Sequence, residues 1–190
     1  TGATLRIPNS FLIALSGGRN VIAVTTALLI LPSLGVGIAL SDPNTPYSNF
    51  VILAALSGFG GGAFASSMSN ISFFFPKRMQ GLSLGLNAGL GNLGVSVMQV
   101  LIPFVMTFAL FGGLAGDPAT AADGSKAWIQ NAGFVWVPIL AMVAIAAWFG
   151  MNNLPQHNIG KAGPAIGKML WLLLLAFGSA ALGLYALIGL

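Results

Sequence analysis

Long apolar blocks alternate with short polar segments along the whole chain. A helix that crosses a bilayer needs about 20 mostly apolar residues. Five blocks reach or approach that length, at 20–40, 50–75, 82–111, 128–151 and 167–190. A sixth, 1–16, reads as the second half of another such helix. The segments between them, at 17–19, 41–49, 76–81, 112–127 and 152–166, carry the Gly and Pro that punctuate turns. The apolar runs are too long for strands and do not alternate as a membrane barrel would. The pattern predicts an all-α membrane protein.

Composition narrows the classes of function. Of 190 residues, 56% are hydrophobic and 5% charged, against roughly 25% charged in soluble domains. Ten charges cannot cover a soluble fold of this size, so the solvent is expected to be largely lipid. The net charge of +4 comes from basic residues scattered singly between apolar blocks. A nucleic-acid binder would cluster them on one face, so no nucleic-acid partner is expected. With no Cys, one His and three Asp, neither a disulfide nor a metal site is expected in this segment, and no cofactor is implied. Catalysis is disfavoured too, because the helices lack the acids, bases and ligands that it uses. No signal peptide is visible. The chain opens on Thr1 and closes on the apolar Leu190, and both ends are expected to fall inside helices.

The loop charges orient the helices. Short connections make consecutive helices antiparallel, so alternate loops share a side. Loops 17–19, 76–81 and 152–168 carry Arg19, Lys77, Arg78, Lys161 and Lys168 and no acid. Loops 41–49 and 112–127 carry Asp42, Asp117, Asp123 and Lys126. The positive-inside rule assigns the first set to the cytoplasm.

One charge, Arg6, lies outside the loops and helix ends. It stands eleven residues before Gly17. At 1.5 Å per residue that is roughly 16 Å from the basic surface, near the middle of a core about 30 Å thick. A charge there faces a cavity or a partner. A buried salt bridge would satisfy it, but no acid lies within these helices. Anion binding is the other possibility. Phe64 lies eleven residues before Phe75, and Asn92 eleven after Gly81, so the same arithmetic puts both at that depth. Asn87 is half-way to the surface. An Asn amide can donate to an anion or to a neighbouring helix, and Phe64 alone could equally be packing. Arg offers a flat, permanently charged fork that matches planar oxyanions such as nitrate and nitrite. Carboxylates and bicarbonate would satisfy the same fork. Glycine concentrates nearby, at Gly58, Gly60, Gly61 and Gly62 and at Gly85, Gly89, Gly91 and Gly94. The Gly85-xxx-Gly89 spacing allows close helix approach. Two adjoining glycine-rich helices are expected to pack closely, slide or flex.

The stretch 60–97, GGGAFASSMSNISFFFPKRMQGLSLGLNAGLGNLGVSV, closely resembles the nitrate/nitrite porters of the major facilitator superfamily, the NarK-like transporters of bacterial inner membranes. Its part from Gly81 to Val97 resembles the first of that family's two Gly-rich nitrate motifs. The stretch 4–11, TLRIPNSF, resembles the family's second helix. The resemblance is best over 1–112 and most specific at 60–97. It implies a major facilitator superfamily helical bundle, with this chain covering part of helix 2 through helix 7. Residues 1–151 would belong to the N-terminal half, 152–166 to the cytoplasmic loop between halves, and 167–190 to helix 7. It implies that Arg6 is the first anion-binding Arg and Phe64 the aromatic stacked on the anion. It further implies that Asn87, Asn92, Gly89 and Gly91 are the motif's polar and flexible positions. The second Arg and the second Gly-rich motif would lie on helices 8 and 11, beyond Leu190. In helix 7 the run from Phe177 to Tyr185 departs from the family's pattern, and no site residue is assigned there.

The implied activity is nitrate and nitrite transport across the cytoplasmic membrane by alternating access, the C-terminal half supplying the other wall of the site. Proton coupling usually employs Asp, Glu or His inside the membrane. The helices hold none: the three Asp fall in external loops and His157 in a cytoplasmic one. That favours nitrate/nitrite antiport over nitrate–proton symport. A channel for a small anion and a membrane-embedded structural subunit are the readings of a different class.

Overall fold

The computed structural model describes residues 2–112, 115–120, 124–154 and 162–188. Its helices, in chain order, are α1 Gly2–Ser16, α2 Gly18–Leu28, α3 Ile30–Ser41, α4 Tyr47–Phe74, α5 Lys77–Met106, α6 Asn131–Phe134, α7 Trp136–Gly150 and α8 Ala162–Ile188. Among the described residues, four stretches are long and apolar enough to cross a membrane: Gly18–Ser41, Tyr47–Phe74, Lys77–Met106 and Asn131–Gly150. They fall on the four complete apolar blocks between 20 and 151. Large apolar side chains stand exposed along them, among them Leu82, Leu90, Val100 and Phe149, as lipid-facing surface requires. The chain is a multi-pass, all-α membrane protein.

Proline explains why two of these stretches are divided. Pro32 has no N–H for the carbonyl of Leu28, and Pro138 none for that of Phe134. The backbone at the breaks, Leu29 (φ −69°, ψ −17°) and Val135 (φ −58°, ψ −30°), stays in the right-handed helical region. The axis therefore bends without leaving the membrane, and α2–α3 and α6–α7 each make one span. α8 begins at Ala162, ahead of the apolar block at 167. His157 and Lys161 lie outside the described residues.

Within the bilayer every backbone polar group needs an internal partner, and side chains supply several at the helix ends. Gln80 Nε2 donates to the carbonyls of Ser72 (2.7 Å) and Phe75 (3.1 Å), closing the end of α4. At the far end of α5, the N–H of Trp128 donates to Met106 O (2.8 Å). Asn131 Nδ2 donates to Val105 O (2.9 Å) and Phe108 O (2.7 Å). These are carbonyls that a helix C-terminus leaves open. Gln130 Nε2 holds the carbonyls of Ala115 (2.9 Å) and Asp117 (3.2 Å). Gln130 and Asn131 are buried, although neither stood out in the sequence. The same segment adds a two-residue antiparallel pairing, β1 Ala119–Thr120 with β2 Lys126–Ala127, outside the spans.

At the basic end, Gly17 takes φ 82° to turn α1 into α2. Asn153 crosses from the end of α7 to receive the Arg19 N–H on Oδ1 (2.9 Å) and to donate to Asn20 Oδ1 (3.3 Å). The Arg19 guanidinium lies 5.2 Å from the centre of the Trp148 ring. These contacts join the turn to the last span of the described bundle.

Candidate anion-binding site

The site rests on the contact between α1 and α4. Both helices run from the acidic-loop side to the basic-loop side, so they pack in parallel. α4 presents small residues at four-residue intervals, Gly58, Gly62 and Ser66, and Gly61 beside them. A Cβ on Gly61 would come within 2.8 Å of Gly2 Cα, and one on Gly62 within 3.1 Å of Leu5 O. Ser66, fully buried, donates its hydroxyl to Asn9 O (3.4 Å). Backbones approach this closely only where side chains are this small. The Gly85-xxx-Gly89 spacing on α5 allows close packing, sliding or flexing as well, but no described residue lies within 4 Å of a Cβ on any glycine from Gly81 to Gly94. The glycine pair that packs is on α4.

This seam carries Arg6 and Phe64. Arg6 Nε donates to Gly61 O (3.3 Å), and its guanidinium carbon lies 5.5 Å from the centre of the Phe64 ring. Both side chains are exposed, Phe64 to 40%. Pro8 sits two residues beyond Arg6 and leaves the Thr4 carbonyl without its helical N–H. No carboxylate pairs with Arg6 among the described residues. One Arg N–H is therefore fixed by backbone, one guanidinium face by an aromatic ring, and the remaining donors are open. A fork so held can receive two oxygens of a flat anion.

Asn87 and Asn92 are placed differently from each other. Asn87 Nδ2 donates to Ser67 Oγ (2.8 Å) on α4, and Ser67 Oγ donates to Phe64 O (3.3 Å). Asn87 thus ties α5 to the turn that carries Phe64. Asn92 is exposed and makes no hydrogen bond among the described residues. Five residues advance about 500° around a helix, so the two side chains leave α5 about 140° apart. Asn92 lies on the same face as Gly85 and Gly89. From the Asn87–Ser67 bond, Asn92 is about 7 Å further along α5 and Phe64 about 5 Å back along α4, so their depths differ by only about 3 Å. Gly89 and Gly91 are exposed and unpacked. The structure brings Arg6 and Phe64 to the α1–α4 seam, ties Asn87 to α4 through Ser67, and leaves Asn92, Gly89 and Gly91 exposed on α5. Ser67 and Asn9 are the seam residues that the sequence did not single out. Their signal was spacing: Ser67 one turn from Phe64, Asn9 one turn from Arg6.

Comparison with known proteins finds the same stretch in transporters of oxidised nitrogen anions. The chain is 48% identical over 180 residues to "Nitrate/nitrite transporter NarU" of Escherichia coli (strain K12), covering 93% of this chain and 39% of the relative. It is 46% identical over 180 residues to the NarU of Salmonella typhimurium, with the same coverage. Identity is 44% over 158 residues to "Probable nitrate/nitrite antiporter NarK2" of Thermus thermophilus, covering 81% of this chain and 36% of the relative. Over most of its length the chain is similar to the NarK-like nitrate/nitrite porters. It spans about two fifths of the length of these relatives. No family model matches it. The family is one of membrane transporters rather than enzymes, in agreement with the apolar spans.

Proposed function

We propose that this chain forms one wall of a nitrate/nitrite transporter of the bacterial cytoplasmic membrane that works by alternating access and exchanges one anion for the other. Arg6 on Phe64 carries the proposal: a guanidinium with free donors, aromatic on one face, and no acid among the described residues to neutralise it. The relatives' names supply the anion class. Arg6 receives the anion oxygens, and Phe64 confines the anion's plane. Asn92 and the open glycine face of α5 stand at nearly the same depth, where the C-terminal half would close over the anion.

The coupling mode follows from what the spans lack. Among the described residues no Asp lies in a spanning helix, and the sequence has no Glu. Without an acid to carry a proton across, an outgoing nitrite is the counter-charge. The test is uptake of labelled nitrate by proteoliposomes holding a full-length transporter that contains this chain. With nitrite inside, uptake is expected to persist when an uncoupler abolishes the pH gradient. Collapse of uptake despite trapped nitrite would establish proton symport instead, and flux without any counter-anion would indicate a channel.

A further inference from the structure

One turn along α1 from Arg6 stands a residue that packing alone does not explain. Asn9 is 5% exposed, and its Nδ2 has no hydrogen-bond partner among the described residues. An unpaired amide N–H is costly in a bilayer, and an apolar side chain of similar size would avoid that cost. The amide lies against Gly62, in the space that a Cβ on that residue would occupy. The neighbouring Gly61 accepts the Arg6 hydrogen bond (3.3 Å). Two side chains one turn apart on α1 thus seat on two successive glycines of α4: Asn9 on the Cα of Gly62 and Arg6 on the carbonyl of Gly61. Whatever sets the separation of the helices at Gly62 also sets where the guanidinium meets Phe64.

We infer that Asn9 is a positioning residue for the anion site: its amide, wedged on Gly62, fixes the α1–α4 separation that holds Arg6 against Gly61 O and Phe64. The inference rests on the anion-binding role of Arg6 proposed above. Asn9 touches no anion itself and acts through Arg6. An amide with an unpaired N–H adds little to folding. Shortening it is therefore expected to move transport and leave the fold intact.

The experiment is a two-site swap in the full-length transporter, read as the nitrate KM for nitrite-driven uptake in proteoliposomes. Gly62→Ala drives a methyl into the amide and is expected to raise KM about tenfold, since small misplacements of a binding group cost that much or more. Asn9→Ala alone is expected to raise KM about threefold, the guanidinium being less confined. The double variant Gly62→Ala/Asn9→Ala, in which the methyl takes the place of the amide and only the 3.1 Å approach to Leu5 O remains, is expected to recover at least half of the loss caused by Gly62→Ala. If Gly62→Ala leaves KM unchanged, or if the double variant is no better than Gly62→Ala, the inference is overturned. Should Gly62→Ala fail to fold, Asn9→Gln lengthens the wedge by one methylene and is expected to raise KM alike; an unchanged KM there refutes the wedge. Absence of nitrate uptake by the wild type would overturn the functional proposal and remove the site that Asn9 is said to position.

Discussion

Arg6 could be singled out from sequence because it breaks a pattern: every other charge lies in a loop or near a helix end. Its depth follows from counting residues back from Gly17. What it touches does not follow, because the approach of Gly61 and the tilt of Phe64 depend on how two helices distant in sequence, Gly2–Ser16 and Tyr47–Phe74, meet. Phe64 supports the guanidinium through its ring face, an interaction worth about 0.5–2 kcal/mol. Phe64→Ala is expected to raise the nitrate KM about tenfold, equivalent to about 1.4 kcal/mol, and Phe64→Trp to keep it near wild type. Initial-rate uptake checks both. Asn87 and Asn92 look equivalent as letters in one motif, yet they leave α5 in different directions. Only Asn87 has its partner, Ser67 on α4, within the described chain.

At the scale of elements, apolar runs of more than 20 residues and their Pro and Gly boundaries located the spans well. Pro46 and Pro76 immediately precede α4 and α5, and Gly17 turns α1 into α2. Sequence was least informative about which small-residue face is packed. Gly58, Gly62 and Ser66 meet α1, whereas the Gly85–Gly89 face of α5 stays open. Both show four-residue spacing, and only the placement of a neighbour tells them apart. Ser66 has no space beyond its hydroxyl, so Ser66→Leu is expected to destabilise the bundle by about 1–3 kcal/mol, as overpacking does. Thermal unfolding in detergent, monitored by circular dichroism, reads this. Asn131→Ala tests the outer cap of α5. It strips the Val105 carbonyl of its side-chain donor, leaves Phe108 O only the Leu110 N–H, and is expected to cost about 1–3 kcal/mol by the same measurement.

At the scale of the whole molecule, loop charge alternation gives a topology that accessibility can check. This stretch has no native Cys, so single cysteines placed in it report without background from within it. A cysteine at Asn44, in the acidic loop, is expected to react with an impermeant maleimide added outside intact cells. One at Arg78, in the basic turn, is expected to react only after permeabilisation. The reverse result would invert the orientation. The glycine-lined side of α5 and the exposed Asn92 are what sequence could least explain, because no described residue packs on them. The relatives, more than twice as long, carry the sequence that would meet them. The central claim is that Arg6 recognises a planar oxyanion through its fork rather than through charge alone. Nitrite-driven nitrate uptake in proteoliposomes, wild type against Arg6→Lys in the full-length transporter, tests it most directly. Lys keeps the charge and loses the two parallel donors. Uptake below about a tenth of wild type, with folding retained, is the predicted result. Equal uptake by the Lys variant would contradict the claim, leaving Arg6 as a source of charge alone.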